Sequence, residues 1–167
     1  MQVRPATRDD LPAIVEIYND AVLNTTASYD YEPHSMAQRV AWFEVHEQKQ
    51  QPIFVAVENS IVLGWSSLSS FRERIGYRFT MENSVYVDAM HRGRGVGAAL
   101  MHPLIESAQS LGMRAIIAAI DAQNETSIHL HTRFGFVTVG HFKEVGFKFG
   151  RWLDVVYMER LLEGTGS

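Results

Sequence analysis

The sequence predicts a single mixed α/β domain, and three observations carry that prediction. Apolar residues at helical spacing alternate with short runs of β-branched and aromatic residues. The strand-like runs pair as a hairpin in the first half and alternate with helices in the second. The 167 residues suit one domain, with no repeat, low-complexity stretch or linker to divide them. A chain of this length buries roughly two thirds of the surface its unfolded form exposes.

Val3 to Ala6 reads as a first strand. Thr7-Arg8-Asp9-Asp10 matches a capping box, and Leu11, Ile14, Val15, Tyr18 and Val22 follow as one apolar helical stripe. Asn24 to Pro33 is polar and turn-rich, and is expected to be a loop that could cover a site. Ser35-Met36-Ala37-Gln38 opens a second helix through about Gln48, with Val40 and Phe43 inward, and Gln51-Pro52 ends it. Ile53 to Glu58 and Ile61 to Leu68 are strands joined by a compact turn at Asn59-Ser60. A charged loop, Phe71 to Gly76, leads into a long strand from Tyr77 to Val87.

The next helix, Val96 to about Ser110, contains Pro103, which removes a backbone donor and should bend it. Ala115 to Ile120 is continuously apolar, as a central strand covered on both faces would be. Asn124-Glu125-Thr126-Ser127 opens a further helix carrying Ile128, Leu130, His131 and Phe134, and Gly135 closes it. Phe136 to Val139 reads as a strand, Phe142 to Arg151 as a loop rich in glycine and aromatics, and Trp152 to Met158 as the last strand. The domain is expected to span residues 1–163, with 164–167 fraying.

Composition excludes several classes. A formal net charge of −4 argues against nucleic acid as the main partner. With no cysteine there is no disulfide framework, thiolate metal site or cysteine nucleophile. His129 and His131 point to different sides of their helix, so no metal site is indicated. A Gly-x-Ser-x-Gly elbow is absent. The N-terminus lacks an apolar signal core and no run is long enough to span a bilayer, so a cytoplasmic location without membrane contact is expected.

The informative stretch is Glu82 to Leu100: strand residues Val85, Tyr86 and Val87, a turn, the basic glycine loop Arg92-Gly93-Arg94-Gly95-Val96-Gly97-Ala98, and a helix start. Glycines let backbone N–H groups converge, the helix N-terminus adds partial positive charge, and two arginines add full charges. Such an assembly suits a pyrophosphate. A dinucleotide fingerprint fits only loosely: Gly93-x-Gly95-x-x-Ala98 stands too far after Val87, and few residues follow for a doubly wound sheet, although Asp121 ends a strand. A P-loop would need Gly-Lys-Ser/Thr, which is missing.

The loop resembles the Arg/Gln-x-x-Gly-x-Gly/Ala acyl-CoA loop of the GNAT superfamily of N-acetyltransferases, with Asn124 and Gly135-Phe136 at the positions that pattern wants. The strings Ile17 to Val22, Asn24 to Ala27, Ala41-Trp42-Phe43, Glu82-x-Ser84-Val85-Tyr86-Val87 and Lys148 to Asp154 are similar to the phosphinothricin and methionine sulfoximine/sulfone acetyltransferase branch. The resemblance runs from about Val3 to Met158. It implies the GNAT acyltransferase fold, a mixed central sheet flanked by helices with a splayed strand pair at the acetyl-CoA site. It further implies direct transfer of acetyl to the α-amine of a small amino acid, and a homodimer.

Transfer to an amine needs a base, and Glu82 in a largely apolar strand is the candidate; the alternative is an ion pair with a neighbouring arginine. By resemblance, the backbone of Val85, Tyr86 and Val87 pairs with pantetheine, Arg92 to Ala98 wraps pyrophosphate, and Asn124 meets the pantetheine amides. His131 stands where many members carry a tyrosine that protonates the departing thiolate. Arg72 and Arg78 are candidates for the substrate carboxylate, with Glu73, Arg74, Asn83 and Ser84 beside them. Asn83 departs from the branch's histidine, and Phe71 and Arg74 from its tryptophan and phenylalanine. Tyr29, Tyr31, Phe147 and Phe149 could line a pocket. Competing readings are an acetyltransferase for a protein N-terminus or a polyamine, and a non-catalytic acyl-CoA sensor.

Overall fold

The computed structural model describes residues 1–163; the tail 164–167 lies outside the described residues. The elements run β1 (Gln2–Pro5), α1 (Leu11–Asn24), α2 (Met36–Gln48), β2 (Ile53–Glu58), β3 (Ile61–Ser70), β4 (Thr80–Val87), α3 (Val96–Ser110), β5 (Ala115–Asp121), α4 (Glu125–Arg133), β6 (Val137–Lys148) and β7 (Arg151–Leu161). The strands form one seven-stranded sheet in the order β1-β2-β3-β4-β5-β7-β6. Every neighbouring pair is antiparallel except β4 and β5. This is the mixed sheet expected from the sequence.

Both helix starts follow from their capping residues. Ser35 Oγ accepts from Gln38 N at 3.2 Å while Gln38 Oε1 accepts from Ser35 N at 2.8 Å, a reciprocal box. At the first start Asp10 accepts the Thr7 N–H at 2.8 Å and a fork from Arg4 at 2.7 and 2.8 Å. The box there closes a single 3-10 turn, Arg8–Asp10, before α1 begins. Leu11, Ile14 and Ile17 of α1 and Phe43 of α2 pack with Ile53, Val55 and Trp65. Met101, Leu104 and Ile105 of α3 pack with Met81, Ile116 and Met158. The two helix pairs thus cover opposite faces of the sheet.

Three expectations are corrected. Phe142 to Arg151 is strand rather than loop: β6 runs to Lys148, and two register shifts against β7 absorb the irregular pattern of glycines and aromatics. Only Phe149 and Gly150 turn, at φ 53° and 73°, closing a two-residue hairpin whose twist suits positive φ. Tyr77 to Val87 is not one strand, because Ile75–Tyr77 forms a 3-10 turn and β4 begins at Thr80. The last strand is longer than expected, Arg151–Leu161, because it lies between β5 and β6 and pairs on both sides. The α3 helix continues through Pro103 without interruption.

Candidate active site

The sheet opens where β4 meets β5. These parallel strands pair only at Thr80↔Ala115, Met81↔Ile116 and Glu82↔Ile117. Beyond Glu82, β4 stays bonded to β3 through Val87, opposite Gly64, while β5 stays bonded to β7 through Asp121. The side of Asn83–Val87 that faces β5 therefore has no strand partner, as a splayed pair requires. A cavity of about 340 Å3 fills the gap. Glu82, Asn83, Ser84, Val85 and Tyr86 line it from β4, Asn124 and His131 from α4, and Thr26 to Tyr29 from the α1–α2 loop. Among the described residues, no lysine or arginine lines it.

Glu82 is the last paired residue before the opening. Burial raises its carboxyl above the ordinary range, and the positive field of Arg72 works the other way. The ion-pair alternative finds no support, since no cation lies within 4.0 Å of this carboxylate among the described residues. Beside it, His131 is buried and its ring is fixed at both nitrogens. Nδ1 lies 2.7 Å from Ser127 O, an oxygen that can only accept, so Nδ1 carries the proton. Nε2 then accepts from Asn83 Nδ2 at 2.9 Å. Burial lowers the imidazole pKa against the opposing Ser127 contact, so the ring is neutral. Its single N–H is held by a backbone carbonyl, which argues against the thiolate-protonating role expected from the sequence.

The glycine loop lies at the α3 N-terminus. Asp88 Oδ1 accepts from Met90 N at 2.9 Å and meets His91 Nδ1 at 2.8 Å, ordering the turn before it. Gly93 and Gly95 hold φ of 75° and 79°, and Gly95 caps α3. Gly97 permits close approach: a Cβ there would stand 3.2 Å from Leu130 Cδ2. The two arginines differ. Arg94 Nη2 reaches Glu58 Oε2 at 2.6 Å, and Glu58 also meets the Met1 amine at 3.2 Å. Among the described residues, Arg92 has only Asp20 at 3.9 Å. Asn124 caps α4 by accepting Ser127 N at 3.1 Å, so its Oδ1 is already in use.

The expected substrate residues separate into two places. Arg72, Glu73, Arg74 and Arg78 line a different groove, of about 410 Å3, together with Lys49. Lys49 Nζ stands 3.6 Å from Glu73 Oε1. Of this group only Arg72 is felt at Glu82. Of the four aromatics considered for a pocket, Tyr29 lines the cavity, its hydroxyl donating to Asp121 Oδ2 at 3.1 Å, and Tyr31 bonds Phe147 O. Sequence reasoning did not single out Gly64, Gly146 or Lys148 as bearing on the site. Lys148 offered a signal: a lone cation between two phenylalanines in what proves to be a strand.

Residues 12–136 match the model of the acetyltransferase (GNAT) family. The chain is 45% identical over 166 residues to an L-methionine sulfoximine/L-methionine sulfone acetyltransferase of Pseudomonas aeruginosa, covering 99% of this chain and 96% of that one. A phosphinothricin acetyltransferase (Pat) from Sinorhizobium meliloti, solved in complex with AcCoA, superposes with a TM-score of 0.95 at 40% identity, covering 98% of this chain and 90% of that one. A ribosomal-protein-alanine N-acetyltransferase from Brucella melitensis also gives a TM-score of 0.95, at 41% identity over 97% of this chain and 100% of that one. With its sheet opening beside a glycine-capped helix, and with these matches over nearly its whole length, the chain belongs to the acetyltransferase (GNAT) family.

Proposed function

We propose that residues 1–163 transfer acetyl from acetyl-CoA directly to the α-amine of a small amino acid, of the methionine sulfoximine, methionine sulfone or phosphinothricin type. The observation that carries this reading is the place of Glu82: a carboxylate with a raised pKa at the point where β4 and β5 part, lining a cavity with no cation. A carboxylate so placed attracts an ammonium and can take its proton. The freed amine attacks the thioester carbonyl to form the C–N bond, the nitrogen of the adduct gives its second proton to solvent, and the C–S bond breaks with its electron pair leaving on sulfur. A thiol of ordinary pKa, near 8.5, departs as thiolate at neutral pH without an obligatory acid. His131 then serves through Asn83 rather than by giving a proton.

The residues present fit acetyl-CoA. The unpaired edge of Asn83–Val87 suits the amides of pantetheine, and Gly93, Gly95 and the α3 N-terminus suit its pyrophosphate. Arg92 is the freer cation beside that loop. Arg94 is shared with Glu58, which makes a test: Glu58→Gln should lower the KM for acetyl-CoA about two- to fivefold at low salt, the gain fading as salt screens exposed charges. An unchanged KM would assign Arg94 to bracing β2 against the loop.

For the acceptor, Arg72 is the carboxylate ligand of choice: it lines the neighbouring groove, and of the arginines there it is the one whose positive field acts on Glu82. Arg72→Leu should raise the KM for a free amino acid about ten- to hundredfold, the loss of one charge-assisted contact, while leaving that for acetyl-CoA near wild type. An equal change in both would remove Arg72 from acceptor binding. The Brucella relative favours a second reading, acetylation of a protein N-terminus. Thiol release measured with methionine sulfoximine, methionine sulfone, phosphinothricin, methionine and a short peptide separates the two. Turnover of the peptide alone would replace the amino-acid reading, and silence with acetyl-CoA still bound would replace both with a sensor.

A homodimer and a cytoplasmic location belong to the same proposal. The edge strand and its hairpin leave Val137, Val139, Phe142, Val145, Phe149 and Trp152 exposed, an apolar surface that a second copy would cover. No helix of the described residues is long and apolar enough to cross a membrane.

A further inference from the structure

The structure buries one lysine, and nothing in the chemistry above gives it a task. We infer that Lys148 is a positioning residue for the acceptor, holding the Thr25–Tyr29 segment in place as a wall of the cavity. The inference rests on the reading of Glu82 as the base for the acceptor amine, which makes this cavity the place where donor and acceptor meet.

Lys148 is 3% exposed. Its Nζ donates to Thr25 O at 2.9 Å and Ser28 O at 2.6 Å, and lies 5.0 Å from the centre of the Phe149 ring. No carboxylate is within ion-pair distance of it among the described residues. An ammonium taken out of water without a counter-ion is tolerated only where other oxygens replace the water, and here two carbonyls do so. The exchange works in both directions. Thr25 to Tyr29 belongs to no helix or strand, so its inward carbonyls would be orphaned acceptors without this donor. Burial lowers the Lys148 pKa, and the field of Asp30 resists that.

A second set of contacts ties the same segment to the same surroundings. Tyr86 Oη donates to Ala27 O at 3.3 Å from the cavity side of β4, and Tyr29 Oη donates to Asp121 at the end of β5. Gly146 leaves room for Tyr29, since a Cβ there would overlap the edge of its ring at Cε2. The bulge before Gly146 is held by Asp154, whose Oδ1 accepts Glu144 N at 2.8 Å. The β6–β7 hairpin and the α1–α2 loop are therefore tied together, and Thr26 to Tyr29 of that loop line the cavity. The donor's expected contacts, along β4, at residues 93–98 and at Asn124, share this cavity at β4 and Asn124 but include none of residues 25–29, Gly146 or Lys148.

The test is Lys148→Met, which keeps the length of the chain and removes the donor. Acceptor KM should rise about tenfold or more, as a displaced positioning wall requires. CoA affinity by calorimetry should stay within about twofold of wild type, because none of the donor's expected contacts is made by residues 25–29, 146 or 148. Amide exchange should rise at residues 25–29 and not at 93–98. Gly146→Ala, which displaces Tyr29 while keeping the lysine, should give the same split and serves if Lys148→Met does not fold. An acceptor KM near wild type, or a CoA affinity that falls as far as the acceptor's, overturns the inference. A wild type silent on every free amino acid would instead overturn the acceptor class. Lys148 would then be judged on exchange, where wild-type protection of 25–29 in the variant refutes its role.

Discussion

Glu82→Gln is expected to lower kcat by about 10²–10⁴-fold, the usual worth of a positioned base, while the folded protein becomes more stable. The two effects have one cause. Burial raises the Glu82 pKa above its unfolded value, so between those values the native state binds more protons than the unfolded chain. The stability contributed by the protonated form is fully present below the unfolded pKa. It is lost as pH rises through the folded pKa, and at neutral pH the ionised carboxylate is a net cost that glutamine removes. Thermal unfolding should show the variant above wild type at pH 8, with the gap closing toward pH 4.

The pH profile supplies the second half of this test. At saturating acceptor, kcat should rise with a midpoint above the ordinary glutamate value of about 4.3. Arg72→Leu should move that midpoint higher, because the field that opposes the shift is gone. A flat profile with kcat unchanged in the glutamine variant would mean that water reaches the amine unaided, and Glu82 would lose its role.

Gly64→Ala should be the most damaging single methyl group in the sheet. A Cβ at Gly64 would stand 2.7 Å from the carbonyl oxygen of Tyr86, 3.1 Å from Val96 Cγ1 and 3.3 Å from Leu100 Cδ1. A side-chain tip can swing away, but a backbone oxygen in a paired strand cannot. Either β4 shifts or the β3–β4 ladder breaks near Val87, at a cost of about 1–3 kcal/mol. For a chain of this size that lowers Tm by roughly 2–4 °C per kcal/mol. Because Tyr86 and Val87 belong to the edge that would meet pantetheine, KM for acetyl-CoA should rise with the loss of stability. An alanine variant with both quantities at wild-type values would show that the strand yields freely and that this edge is not the donor's track.

Much of this protein is legible in local sequence because the signals are short-ranged. Ser35 and Gln38 form their box three residues apart, and Asn59-Ser60 turns at φ of 50° and 62° between two strand patterns. Glu82 and the glycine loop announce themselves by residue type and spacing within twenty positions. Phe142 to Arg151 misleads for the same reason, since glycine and aromatics look like loop until β7 supplies the partner that makes them strand.

What tertiary structure alone decided are pairings across long stretches of chain. Arg94 meets Glu58 across 36 positions, Asn83 meets His131 across 48, and Lys148 meets Thr25 across 123. The arginines of residues 72–78, close in sequence to Glu82, line a groove separate from its cavity, because they lie on the connection between β3 and β4 and not on the paired strands. Local pattern indicated most of the elements, and residue type and spacing marked Glu82 and the glycine loop as candidates, since propensity and capping act within a turn or two of chain. Whether a cation is free for a ligand, held by a carboxylate or spent on a carbonyl depends on which distant backbone the closed sheet brings beside it.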